Sequence, residues 1–252
     1  LMPVHRLSDM TWEEVRDTDR RNAVAILPVG AVEAHGPHLP LGTDVIIAEA
    51  MAKAGAQKLA NDGLTVLILP PIWYTSAAFA DAFPGTIGVG ADTVRKLIHE
   101  IGAALLAQGV STLAIANAHL DPEHIVALRE ATHAGPDGLR IVLLDLTRPS
   151  VARRLTSEFQ TGACHAGQFE GSVVLAESPS LVRTNLAAAL DANPASLSEA
   201  IREGKTTFAE AGGPRAYFGW PAQATAEEGR NTVRLLGELL AEAVVAGEEA
   251  KV

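Results

Sequence analysis

The chain has 252 residues, 48% hydrophobic, 20% charged and 4% aromatic, which excludes disordered, collagen-like and low-complexity scaffolds and supplies a sizeable core. Thirty acidic against twenty basic residues give a formal charge of −10, a field that repels phosphate backbones and anionic lipid surfaces, so no nucleic acid and no membrane is expected as a partner. The single cysteine, Cys164, forbids an internal disulfide, no apolar run approaches the ~20 residues that span a bilayer, and no basic-then-apolar leader is present; the expectation is a cytoplasmic protein with one domain over residues 3–250.

Four short runs rich in Val, Ile and Leu read as buried strands, at 23–29, 64–69, 112–116 and 140–146. Between them, Ala-rich stretches with helical spacing lie at 45–59, 91–107 and 123–131. Shorter helices are expected at 148–159 and at 194–208, the stretch 164–172 leads into an apolar helix that continues to about Ala176, and a long amphipathic helix is expected at 224–246. Strands without a polar face that alternate with helices require a parallel sheet covered on both sides, an α/β fold of three layers, α/β/α. In such a sheet the ligand lies beyond the carboxyl ends of the strands, so the polar residues that follow each strand are the candidates.

Three clusters meet that condition. After the first strand, the Gly/Pro-rich stretch 30–44 holds Glu33, His35, His38 and Asp44. Glu33 and His35 are two apart and share a side in extended chain, and a loop return brings Asp44 back to them, as a metal site needs. The competing reading makes Asp44 the N-cap of the next helix. After the third strand come His119 and Asp121, again two apart. Asp121 before Pro122 is a natural N-cap, which leaves His119 unexplained. Glu123 suits a first helical turn, and His124 is expected on the solvated surface. The third cluster, 164–172, adds His165 and Glu170. Consecutive side chains diverge and cysteine is usually buried, so Cys164 is not read as a nucleophile activated by His165. His5, His99 and His133 are isolated and read as structural or surface residues.

Taken together, Leu27-Pro28-Val29-Gly30-Ala31-Val32-Glu33-Ala34-His35-Gly36, Phe83-Pro84-Gly85-Thr86-Ile87, His165-Ala166-Gly167 and Ala224-Thr225-Ala226-Glu227-Glu228-Gly229-Arg230 resemble the creatininase family of metal-dependent amidohydrolases. The resemblance implies a three-layer α/β fold, two divalent metal ions per subunit, zinc or manganese with iron also compatible, and a homohexamer built as a trimer of dimers. Position by position, it implies Glu33, Asp44 and His119 as ligands of one ion, and His35, Asp44 and Asp121 as ligands of the other, with Asp44 as the bridge. Where relatives carry glycine at the place of Asp121, the glutamate matching Glu170 is the natural substitute, so Asp121 is taken first and Glu170 second. His165 matches the acid/base histidine and, with Glu170, forms the candidate catalytic pair. Two divalent ions against three carboxylates leave one positive charge, which a bridging hydroxide would neutralise, and that hydroxide would attack an amide carbonyl near neutral pH.

The chain also departs from the family. Ala77-Ala78-Phe79-Ala80-Asp81-Ala82 replaces a polar segment, Asn117-Ala118-His119-Leu120-Asp121-Pro122 replaces a glycine-rich loop, and Cys164 stands where creatininases carry glutamate. Creatinine is therefore not the expected substrate. Trp73, Tyr74, Phe79 and Trp220 are candidate walls for a flat ring, which favours a cyclic amide; a formamide or a small peptide is the alternative. Two other classes compete. A nicotinamide dehydrogenase fails because Gly88-Val89-Gly90 does not follow the first strand or continue to a third glycine. A noncatalytic metal-binding relative has no need of the acid/base histidine that the chain retains.

Overall fold

The computed structural model describes residues 4–249. Five parallel strands, β1 (Val4–Arg6), β2 (Ala23–Val29), β3 (Thr65–Ile68), β4 (Thr112–Asn117) and β5 (Arg140–Leu143), form one sheet in the order β1-β3-β2-β4-β5. The helices are α1 (Trp12–Asp17), α2 (Thr43–Asn61), α3 (Ala91–Ala107), α4 (Pro122–His133), α5 (Pro149–Ala152), α6 (Ser157–Thr161), α7 (Gln168–Glu177), α8 (Thr184–Ala188), α9 (Leu197–Arg202) and α10 (Ala226–Glu249).

Alternation along the pleat divides the core. Val24 and Ile26 of β2 and Ala114 and Ala116 of β4 face the layer of α2, α7 and α10, whereas Ala25, Leu27, Leu113 and Ile115 face α3 and α4. Fully buried strands with no polar face thus become the middle of three layers, as the sequence pattern requires. The connection from β2 enters α2 on one face, and that from β4 enters α4 on the other. The crevice between their carboxyl ends is the switch point at which open α/β sheets take ligands.

Among the described residues, β1, α1 and the five-residue α8 were not foreseen. β1 is a three-residue edge strand paired with β3, too short for periodicity to register. α1 follows a capping box in which the Thr11 side chain accepts from Glu14 N–H and Glu14 returns the bond, a Thr-x-x-Glu signal visible in the sequence. The expected helix at 148–159 splits into α5 and α6, and that at 194–208 shortens to α9. The last helix starts within two residues of its expected position.

Candidate metal centre

Glycine at position 30 brings α2 to the end of β2. A β-carbon there would lie 2.5 Å from the Val45 nitrogen and 2.7 Å from the Asp44 carbonyl carbon, closer than side chains tolerate. The first turn of α2 therefore packs directly on the strand end and carries Asp44 into the crevice. Gly42 is the N-cap of α2 and makes no side-chain cap, so Asp44 is not the capping residue. Its carboxylate is buried and divides between two imidazoles: Oδ1 lies 3.2 Å from His35 Nε2, and Oδ2 lies 3.0 Å from His119 Nδ1.

Each imidazole is anchored by its other nitrogen. His35 Nδ1 lies 3.0 Å from the carbonyl of Glu33, and His119 Nε2 lies 2.7 Å from the carbonyl of Ser76. A carbonyl only accepts, so those nitrogens carry a proton in either state, and once the rings are neutral the nitrogens facing Asp44 present lone pairs to a cation. Backbone-tethered imidazoles with free lone pairs turned to carboxylates are the arrangement of metal ligands. Glu33 adds Oε2 at 3.4 Å from His119 Nδ1, and Glu170 adds Oε2 at 3.6 Å from His35 Nε2. Glu33 Oε2 and Asp44 Oδ2 are buried and make no hydrogen bond of normal geometry, although His119 Nδ1 stands beside both. Oxygens left in this way fit a cation. Ligand atoms of Glu33, Asp44 and His119 converge within 4.8 Å of one another, as do those of His35, Asp44 and Glu170 and those of Glu33, His35 and His165.

His165 Nε2 donates to the carbonyl of Ala34 at 3.0 Å, which leaves Nδ1 unprotonated at 3.5 Å from Glu33 Oε1. Its ring lies 4.4 Å from that of His35 and 4.3 Å from that of Phe208. Ala166 follows in a left-handed conformation at φ 51°, which turns its N–H onto Glu170 Oε2 at 2.5 Å. Glu158 holds the same corner. Its buried carboxylate accepts from Gln168 and Phe169 N–H at 2.6 Å each and from Trp220 N–H at 2.8 Å, so it caps α7 from outside. Nothing in the sequence around Glu158 signals this role, since its partners lie 10, 11 and 62 positions away.

Asp121 stands apart from the converging groups. Its Oδ1 accepts from Glu123 and His124 N–H at 3.0 and 3.4 Å, and its Oδ2 accepts from Phe79 N–H at 3.2 Å. It is the N-cap of α4 with Pro122 at the first position, as the sequence suggests. Both of its oxygens are engaged by backbone N–H groups and it joins none of the converging groups, whereas Glu170 Oε2 accepts one N–H, from Ala166, and still converges with His35 and Asp44.

The expectation that His124 is a surface residue is wrong: it is fully buried, on the inward face of α4. Its Nε2 donates to Asn117 Oδ1 at 2.9 Å, and burial followed by the neighbouring His119 holds its pKa well below the ordinary value. Of the expected ring-stacking walls, Phe79 lines the cleft. Trp73 and Tyr74 are exposed on the surface, and Trp220 packs into the cluster around Phe218; none of these three lines it. Phe208, Leu197 and Ile201 line it instead.

Burial pushes Glu33 up to about 7 and Glu170 up to about 8. Burial opposes the charged forms of His35 and His119, but the carboxylates around them outweigh it and raise each to about 10. Burial likewise works against the Asp44 carboxylate, yet the two imidazoles outweigh it and hold Asp44 well below the usual range. His165 is pushed well below its ordinary value by burial and then by His35, so it stays neutral. Burial, with Glu170 and Glu158 nearby, raises the Cys164 thiol far from the thiolate that a nucleophile needs.

The profile of the creatininase family, described as creatinine amidohydrolase, matches residues 8–244. A mycofactocin precursor peptide peptidase of Mycobacterium ulcerans (strain Agy99) is 34% identical over 87% of this chain and 82% of its own length. A zinc–zinc form of a mutant creatininase superposes with a TM-score of 0.73 at 25% identity, covering 97% of this chain and 98% of that one. A manganese creatininase gives 0.74 at 24% identity over 97% and 99%.

Proposed function

The chain belongs to the creatininase family, and on that premise we propose that this amidohydrolase uses two divalent ions to cleave a carbon–nitrogen bond other than an ordinary peptide bond, in a small cyclic amide of the lactam or hydantoin type. The observation that carries the proposal is Asp44, which turns one oxygen to each of two imidazoles whose other nitrogens are tied to backbone carbonyls. One ion would be held by Glu33, Asp44 and His119 and the other by His35, Asp44 and Glu170, with Asp44 shared and Asp121 left as a cap. Mixed imidazole and carboxylate donors suit zinc, manganese and iron alike.

Bound ions of this kind lower the pKa of water towards neutrality and polarise a carbonyl. The protein's own part is positional. Tethers to Glu33 and Ser76 fix the tautomers of His35 and His119, so neither ring has to reorient. The Ala34 carbonyl keeps the His165 proton on Nε2, leaving Nδ1 to take a proton from the attacking water and return it to the leaving nitrogen. Three carboxylates against two divalent ions leave one net positive charge, which favours the negative charge that develops on the amide oxygen.

A peptide substrate is the second reading, favoured by the 34% identity to a peptide peptidase; formamide hydrolysis is the remaining alternative within the family. A panel of lactams, hydantoins, formamides and short peptides offered to the zinc- and manganese-loaded protein separates them. Turnover of a ring amide supports the proposal, and turnover of a formamide or dipeptide alone removes it. Assembly as a hexamer, a trimer of dimers, belongs to the same proposal. It is supported by Leu41, Trp73, Tyr74 and Ile87, large apolar residues 39–52% exposed in the single chain, with Trp73 against Gly42 and Leu41 against Gly85.

A further inference from the structure

Beyond the groups that would hold metal, the cleft wall is apolar. It is formed by Phe79, Leu120, Pro122, Leu197, Ile201 and Phe208. Among the described residues, no lysine, arginine, serine, threonine, asparagine or glutamine lines it. Asp121 is on the lining, but its oxygens are engaged by three backbone N–H groups. Cys164, also on the lining, is a neutral thiol.

Two features give the wall its shape. Phe208 stacks on His165 at 4.3 Å with 30° between the planes and meets Phe79 at 5.9 Å, so an aromatic surface runs from the acid/base histidine across the cleft. Leu197 and Ile201 are four apart on α9 and so present one face, which roofs the other side. The cleft encloses about 420 Å3 including its open side. A charged or strongly hydrogen-bonding group placed there would lose its water and gain no partner.

We propose that the substrate carries an uncharged apolar group, aromatic or aliphatic, within a bond or two of its scissile carbonyl, and that Phe79, Phe208, Leu197 and Ile201 select it. The inference rests on the metal-dependent reading above and narrows it to amides whose flank bears no charge.

Hydroxamates test it, because one chelating head can carry different flanks. Affinities of acetohydroxamate, benzohydroxamate, hexanohydroxamate and succinate monohydroxamate are measured by calorimetry on the zinc- or manganese-loaded protein. The benzo and hexano compounds are expected to bind at least about tenfold more tightly than acetohydroxamate, with the succinate compound no tighter than acetohydroxamate. In Ile201→Lys, and independently in Leu197→Lys, that preference is expected to shrink and the succinate compound to gain several-fold. Equal affinities of the four compounds, or tightest binding of the charged one, overturn the inference while the metal reading stands. A protein that takes up no zinc or manganese overturns both.

Discussion

Gly30 and Asp44 touch backbone to backbone: the position a β-carbon of Gly30 would occupy is 2.7 Å from the carbonyl carbon of Asp44. The placement of the Asp44 carboxylate between His35 and His119 therefore depends on the missing side chain at the end of β2. Gly30→Ala is expected to displace the first turn of α2, destabilise the fold by about 1–3 kcal/mol through overpacking, and reduce bound metal. Chemical denaturation and elemental analysis check both outcomes; a variant with unchanged stability and metal would show that the turn yields freely.

Glu170 and Asp121 separate cleanly by mutation. Glu170→Gln keeps the side-chain shape and is expected to lower bound metal from about two ions per subunit towards one. Asp121→Ala is expected to retain metal and lose about 0.5–2 kcal/mol of stability as an N-cap. The reverse pattern would return the ligand role to Asp121.

Metal loading is expected to release about three protons near pH 7, because the metal-free site holds His35 and His119 protonated, each raised to about 10, holds Glu170, raised to about 8, as the neutral acid, and leaves Glu33, raised to about 7, part-protonated. The sign follows from the direction of the shifts. Raised imidazole pKa values stabilise the metal-free fold fully below the ordinary histidine value, and that contribution is lost as pH rises through about 10. Apparent metal affinity, and the gain in thermal stability on loading, should thus increase from pH 6 to pH 9. Calorimetry in buffers of differing ionisation enthalpy counts the protons; an affinity independent of pH would contradict the assignment.

Glu158→Gln should destabilise the protein by about 1–3 kcal/mol, since an amide nitrogen would be turned on donors that now meet a carboxylate. Because α7 carries Glu170, the second ion is expected to bind more weakly, readable as a split in metal titration. A uniform loss of stability with both ions bound as before would confine Glu158 to a structural role.

Much of this was legible in the sequence, for identifiable reasons. The β2 run at 23–29 is wholly buried and reads directly as a central strand, and the spacing of Glu33, His35 and Asp44 within one loop announces their convergence. The choice between Asp121 and Glu170 was not legible. Both are carboxylates near a histidine, and only the backbone N–H groups around Asp121 show that its oxygens are taken. The cleft wall was hidden more deeply. Leu197, Ile201 and Phe208 lie in an ordinary amphipathic segment, and no local pattern reveals that it folds back over His165. Trp73 and Tyr74 are aromatic rings just after a strand, where a stacking wall is expected, but they end on the surface.

The most direct measurement is metal content by elemental analysis of protein purified without chelator. The account predicts about two divalent ions per subunit, zinc or manganese. No bound metal, even after incubation with either ion, would contradict it.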